Sequence, residues 1–213
     1  SDAVKADVNY HKDKKHFYKT YGYNSLFFRA DEILDKTHIV KSIIKNKLFQ
    51  NDNKIFARKT EFKQIFDIDQ FFKDNHLMGI GSGRMYCLLV DNIVVCAMQV
   101  KWKDKLTKQL EISRFCTKNG VSVVGGFSKL LKNIIKIENP NEIITFIDER
   151  YGDGEYLSNF AFKNEGTNLS FKWTDCQYRT FHRMNFPGNS GYEKGLFKIW
   201  DCGQTKFVLN LSK

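Results

Sequence analysis

Proline is almost missing from this chain. Its 213 residues contain two, Pro140 and Pro187, and no Ser/Gly/Pro-rich stretch separates one half from the other. A pair of domains on a flexible linker is therefore not expected. The length suits one sizeable domain, or a compact domain with a small appendage. No run of eighteen apolar residues occurs, which excludes a membrane-crossing helix. The first fifteen residues are polar and lack an apolar signal core, so a soluble, cytoplasmic protein is expected. Cysteines number five (Cys87, Cys96, Cys116, Cys176 and Cys202). The count is odd, none forms CxxC, and none sits at ligand spacing from a histidine. Neither a disulfide framework nor a metal site is expected, and reduced core thiols are.

What is present is apolar material and positive charge. Hydrophobic residues make up 42% and aromatics 15%, enough for a core. Lys and Arg number 34 against 24 Asp and Glu, a formal net charge of +10. An excess of this size favours a polyanionic partner, nucleic acid ahead of an acidic membrane. The chain is also rich in Lys, Asn, Ile and Phe, so a solvated basic surface without a partner stays open at this point.

Residues 110 to 148 organise the rest. Leu110-Glu111-Ile112-Ser113-Arg114-Phe115-Cys116 alternates apolar and polar residues, the period of a half-buried strand. A polar turn follows at Thr117-Lys118-Asn119-Gly120. Ser122 then stands as an N-cap before Val123, Phe127, Leu130, Leu131 and Ile134, which share one helical face, and Pro140 ends the helix. Ile143 to Ile147 reads as a buried strand that Asp148 terminates. Strand, helix, strand is a crossover unit with a parallel pair. It places free amides of the helix start, with Asn119, Gly120 and Ser122, at the strand edge where Asp148 emerges, an arrangement that suits an anion. A capping serine and a turn aspartate fit the same residues.

Elsewhere the pattern predicts a short helix before Gly22, with Phe17 and Tyr21 on one face among Lys12, Lys14, Lys15 and Lys19. A strand is expected over Ser25 to Phe28, a helical turn over Asp31 to Asp35, and a helix from Thr37 with Ile39, Val40, Ile43, Ile44 and Leu48 as its stripe. Lys54 to Lys59 reads as a strand and Gln70 to His76 as a helix. Tyr86 to Val90 and Ile93 to Val100 form a hairpin about Asp91-Asn92. Lys101, Lys103 and Lys105 lie in a basic connector. Beyond Glu155, a short helix leads to strands at 170–173, 178–183, 197–202 and 205–209, the last two flanking a hairpin signal at Gly203-Gln204. Arg179, His182 and Arg183 interleave with Tyr178 and Phe181, which suits phosphate pairing and base stacking. Basic solvent faces on amphipathic strands would show the same pattern.

Hairpin, strand, glycine-bearing turn, helix, strand is the element order of the acetyltransferase-like (GNAT) fold, and the chain resembles that family. The mixed α/β fold class and the division into an appendage over residues 1–50 and a GNAT-like domain over 51–213 follow from the resemblance. More narrowly, Leu110 to Cys116, Ser122 to Leu130 and Ile144 to Tyr151 resemble the C-terminal domain of phage homing endonucleases that carry an EDxHD nuclease. Asn9-Tyr10-His11 through Leu48 resembles the tail of that nuclease module. The acidic strand and Trp-His segment of the nuclease core have no counterpart here. The acyl-CoA signature, Arg or Gln-x-x-Gly-x-Gly/Ala, is not matched by Thr117-Lys118-Asn119-Gly120-Val121-Ser122, so the resemblance names no cofactor.

The same domain is similar to the Mom-type DNA-modification family of phage Mu. That similarity places catalytic roles on Ser122 (or Ser128), Asp148 and Tyr156. Asp148 would orient or deprotonate an exocyclic amine, and Tyr156 would donate to developing negative charge. The resemblance implies a DNA-binding module in an infected bacterial host cell, with Lys101, Lys103, Lys105, Arg150, Arg179, His182 and Arg183 toward DNA. A base-modifying transferase and an inhibitor that binds a host protein are the alternatives.

Overall fold

The computed structural model describes residues 7–50, 53–175 and 177–212. In chain order the elements are α1 (Tyr10–Thr20), α2 (Ala30–Asp35), α3 (Thr37–Lys47), β1 (Asn53–Phe56), β2 (Glu61–Ile65), α4 (Asp69–Asn75), β3 (Arg84–Val90), β4 (Ile93–Asp104), β5 (Gln109–Thr117), β6 (Val121–Val124), α5 (Gly126–Glu138), β7 (Glu142–Asp148), β8 (Lys163–Asn168), β9 (Phe171–Thr174), β10 (Thr180–His182), α6 (Ser190–Glu193), β11 (Phe197–Trp200) and β12 (Gln204–Asn210). Single 3-10 turns occupy Ala57–Lys59, Glu155–Phe160 and Arg183–Asn185. The main sheet has the order β2-β3-β4-β5-β7-β12-β8, a second sheet has β10-β9-β11, and β1 pairs with β6. This is a mixed α/β architecture, and it contains the expected GNAT-like order of hairpin (β3-β4), strand (β5), helix (α5) and strand (β7).

Two compact units divide the chain. The first takes Ser1–Asp35, Phe146–Ser158 and Asn164–Phe207; the second takes Lys36–Thr145, Asn159–Lys163 and Val208–Lys213. Residues 36–50, read from the sequence as part of an N-terminal appendage, cluster with the second unit.

In the second unit the hairpin forms as its sequence predicts. Asp91 and Asn92 both take positive φ, 49° and 62°, the geometry a two-residue primed turn demands. Strand β3 is buried on both faces, which is why it reads as an unbroken apolar run. Met85, Cys87 and Leu89 point to one side and join Ile68 and Phe72 of the α4 segment in a cluster. Tyr86 points to the other, where its hydroxyl donates to Glu138 at the end of α5. The buried stripe of α5 is Leu130, Leu131 and Ile134, as the 3.6-residue spacing requires. Strands β5 and β7 are parallel, with Gln109 to Ile112 opposite Glu142 to Thr145. Cys87, Cys96, Cys116 and Cys202 are buried free thiols, and Cys176 lies outside the described residues.

Several expectations are corrected. Ser122 is not the N-cap of α5: it sits in β6 opposite Lys54, in a parallel ladder that the β-branched run Val121 to Val124 favours. The helix starts four residues later, after Gly125 in the left-handed region at φ 76°. Lys101 and Lys103 stand on β4, which runs on to Asp104, rather than in a connector. Residues 25–28 carry no ladder and are not a strand. β11 and β12 do not form a hairpin; β11 pairs with β9, and β12 belongs to the main sheet. Gly203, at φ 96°, passes so close to the Asn168 carbonyl that a Cβ would lie 2.8 Å from it, and the chain changes sheet there.

The first unit has an aromatic core. Trp173 is fully buried, its Nε1 donates to the Phe186 carbonyl at 3.0 Å, and Phe171 and Tyr192 meet it edge-on. Gly191 lies flat against the indole, where a Cβ would stand 2.5 Å from Cδ2 and Cε3. Because that ring has no room to retreat, Gly191→Ala is expected to cost ~1–3 kcal/mol by overpacking. Urea unfolding should show a lower midpoint with an unchanged m-value; an unshifted midpoint would mean that the ring is free to move.

Candidate functional site

Charge in the first unit is concentrated in a buried network. Arg150 is only 3% exposed. Its Nη1 donates to both oxygens of Glu32, at 3.0 and 2.8 Å. Its Nε and Nη2 grip Asp148, at 3.1 and 2.8 Å, and its backbone amide donates to Asp148 Oδ1 at 3.1 Å. Glu32 also accepts from Arg29 N at 2.9 Å and from the Tyr151 hydroxyl at 2.9 Å. Arg29 continues to Asp201 at 2.8 Å. Nearby, Lys15 and the Thr205 hydroxyl both donate to the Glu149 carboxylate.

The titration of these groups follows from their surroundings. Burial pushes the Glu32 carboxyl up, but the Arg150 hydrogen bonds and charge outweigh it, and the net shift is downward. Burial dominates at Asp201, whose carboxyl is raised. Burial also raises the Tyr151 hydroxyl. Arg150, despite its burial, is held more firmly protonated, Asp148 being the main cause.

The second unit holds an open cleft of about 370 Å³ where α5 begins, beside the Ala57–Lys59 turn. Arg58, Gly125, Ser128, Lys132 and Asn133 line it. Arg58, Ser128 and Lys132 are exposed, and Arg58 lies 5.2 Å from the Phe56 ring centroid. Lys129 also borders the cleft, but its ammonium is engaged by the Ala57 carbonyl at 2.9 Å and by the Thr60 carbonyl. First-turn helix amides, an exposed hydroxyl and two exposed cations fit a phosphate-bearing group.

The sequence-derived residues fall as follows. Asp148 and Tyr156 belong to the first unit and Ser122 to the second. Asp148 is engaged by Arg150 through both carboxylate oxygens. Tyr156 is 46% exposed, yet desolvation raises its hydroxyl to about 12, so it keeps its proton at neutral pH. The Asn119 amide donates to Asn75 Oδ1 at 2.7 Å and the Gly120 amide to Ser42 Oγ at 3.1 Å. Those amides are spent within the second unit and are not offered to an anion. Ser128, not Ser122, borders the α5 opening.

Among the proposed DNA contacts, Lys103, Lys105, Arg179, His182 and Arg183 are exposed. Lys101 pairs with Glu111 at 3.1 Å, and Arg179 pairs with Asp175 at 2.6 Å while its side chain stays 67% exposed. Arg150 is withdrawn from the set by its burial. Sequence reasoning missed Arg58 as a site residue. The pair Gly125-Gly126 was the available signal, since it marks where the helix begins.

No family model matches the chain, and no curated protein does. Solved structures resemble it at low identity. An N-acetyltransferase from Staphylococcus aureus Mu50 is 13% identical, with 61% of this chain and 68% of that one covered and a TM-score of 0.41. A Bacillus subtilis acetyltransferase in complex with CoA is 12% identical, with 72% and 99% covered and a TM-score of 0.46. N-acetylglutamate synthase from Neisseria gonorrhoeae, complexed with coenzyme A and N-acetyl-glutamate, is 12% identical, with 72% and 35% covered and a TM-score of 0.46. Among the described residues no cluster of His, Cys, Asp and Glu has metal-site geometry, and no helix is long and apolar enough to cross a membrane.

Arg150→Met keeps the apolar stem but removes the cation that Glu32 and Asp148 share, which is expected to cost ~3–5 kcal/mol at neutral pH. The pH response should invert. In the parent, Glu32 has a depressed folded pKa, so its contribution is full above the ordinary value of 4.5 and is lost as pH falls through the lower folded value. In the variant Glu32 keeps Arg29 but loses the Arg150 charge that outweighs its burial, so its carboxyl rises and mild acid recovers part of the lost stability. Thermal melts across pH 4 to 7 would read this, and parallel curves for the two proteins would refute it.

Proposed function

We propose that this chain is a DNA-directed protein on a GNAT-like scaffold, a binding module of the homing-endonuclease kind. One observation carries the reading: the acidic side chains Glu32, Asp148, Glu149 and Asp201 are turned into internal pairs, whereas Arg58, Lys103, Lys105, Lys132 and Arg183 remain on the surface. Lys15, Arg29 and Arg150 pair with these four carboxylates, so this network changes the chain's formal excess of +10 by only one charge. Exposed cations in such excess attract a phosphate backbone and release its counterions. Lys103→Ala combined with Lys105→Ala should make the salt dependence of duplex affinity shallower by about two in log–log slope. Electrophoretic shifts over a salt series measure this, and absence of binding at low salt would sink the reading.

A transferase acting on a DNA base is the second reading. It is favoured by Asp148 and Tyr156 lying in the same compact unit. Tyr156 would serve as the proton-bearing donor, and a paired base would have to be flipped to reach it. Mass spectrometry of nucleosides from cells expressing the chain tests it: a modified base that vanishes on Asp148→Ala supports the transferase, and unmodified DNA rejects it.

A further inference from the structure

The loop between α4 and β3 closes over an arginine whose charge the second unit leaves unbalanced. Strands β4 and β5 are antiparallel, with Gln99 opposite Arg114 and Val100 opposite Ile112, so Ser113 is the extra residue of a bulge. Directly opposed residues share a face of the sheet, and here both side chains meet the loop. Arg114 Nε donates to the Gly79 carbonyl at 3.1 Å, and Nη1 to the Ser113 carbonyl at 2.6 Å. Gln99 is fully buried and accepts from Gly81 N at 2.9 Å through Oε1. Its enclosed Nε2 has no partner among the described residues. A Cβ on Gly81 would stand 2.8 Å from Gln99 Oε1 and 3.5 Å from Arg114 Cζ, so the loop backbone lies against the guanidinium. His76 is fixed in the same loop: Gly79 N donates to its carbonyl at 2.8 Å and Met78 N to its Nδ1 at 3.1 Å. The ring proton is thereby left on Nε2. Burial, then the charges of Arg114 and Lys36, hold this imidazole down to about 3, so it is neutral at physiological pH.

Two carbonyls orient Arg114 without neutralising it. Among the described residues no carboxylate pairs with it, and Glu111, whose charge it feels, is held by Lys101 at 3.1 Å. Lys36, the other cation near His76, is turned to the Leu77 carbonyl. Burial works against the Arg114 charge, yet an arginine does not shed its proton to escape that cost. Of the five N–H groups of a guanidinium, two are used here and neither is on Nη2. An arginine pinned in this way is set for an anion from outside. Charge and shape select the anion. Arg114 supplies one positive charge and the neutral imidazole none, which matches a monoanion, and a planar fork matches a planar carboxylate. A polymer's phosphates call for cations that stand clear of the surface, as Lys103 and Lys105 do, whereas Arg114 is half-buried beneath the loop. We propose that Arg114, with the loop at 76–83 around it, binds the carboxylate of a small acidic ligand. This site stands independently of the DNA-directed reading.

The test follows the Arg114 Nε–H and Gly81 N–H signals of the full chain by nitrogen–proton NMR. Sodium acetate, sodium phosphate or sodium chloride is added in parallel to equal ionic strength. Acetate should shift both signals saturably, with a Kd on the order of millimolar, and chloride should not. Arg114→Lys keeps the charge but loses the fork. Its acetate affinity, read at Gly81 N–H, should fall about tenfold or more. A thermal melt shows whether that variant is folded; if it is not, the parent's titration decides alone. A linear drift common to all three salts overturns the site, as does a folded lysine variant that binds acetate like the parent. Phosphate binding more tightly than acetate overturns the choice of a carboxylate. Duplex affinity should be equal in parent and Arg114→Lys. A weaker variant would put DNA at this arginine and overturn the proposal, whereas failure of both proteins to bind duplex removes only the DNA-directed reading.

Discussion

A guanidinium clasped between two carboxylates is the joint on which the first unit is assembled. That unit is built from three separate stretches of chain, and Arg150 touches two of them, gripping Glu32 on α2 and Asp148 at the end of β7. Arg29 extends the joint to Asp201 in the third. Burying such charges is expensive, and the expense is offset only where every lone pair finds a donor. Glu32 meets that condition, with donors from Arg29, Arg150 and Tyr151. The backbone follows the side chains: Phe27 N donates to the Arg150 carbonyl at 3.0 Å, which explains how residues 25–28 are held without forming a strand. An apolar joint would tolerate sliding. A bidentate ionic one admits a single register, and the irregular loop after β7 is fixed by it.

The joint also shapes the surface. An arginine that sequence patterning assigns to DNA is consumed indoors, and with it the carboxylates that would have tempered the exterior. Lys129 shows the same economy on a smaller scale in the second unit, where its ammonium closes the ends of the Ala57–Lys59 turn instead of serving the cleft beside it. Counting charges in a sequence overstates the available cations and anions alike: Lys15, Arg29, Lys129 and Arg150 are engaged, as are Glu32, Asp148, Glu149 and Asp201. The electrostatic argument for a polyanionic partner therefore survives the loss of Arg150 from the contact set, because it depends on the balance and not on any one residue.

What was legible in the sequence was whatever a short-range rule decides. Alternation placed β5 and β7, helical spacing found the Leu130, Leu131 and Ile134 face, and Asp91-Asn92 announced the hairpin. The start of α5 was misplaced because Ser122 satisfies a capping rule that the longer-range pairing of β6 with β1 overrides. Serine at the head of an apolar run is a cap only if the run is helical from its first residue, and Val121 to Val124 favour a ladder when a partner strand is supplied by Asn53 to Phe56 far upstream. The β11-β12 hairpin failed for a related reason: Gly203-Gln204 permits a tight turn, but the turn joins strands of different sheets. The Glu32–Arg150 pair spans 118 positions and has no local signature at all.

The same geometry separates the two functional readings. In a transferase, Asp148 would have to accept a proton or orient an amine, and either task needs a carboxylate oxygen free to turn toward substrate. Both oxygens are engaged by Arg150. Releasing one oxygen would unpick a buried pair and, with it, the register of α2. Tyr156 is half exposed and keeps its proton. Chemistry at this edge of β7 would therefore lean on a hydrogen-bond donor more than on a base, which suits holding a polar group better than activating one. Binding a polar partner asks nothing of Asp148 beyond the structural task it already performs.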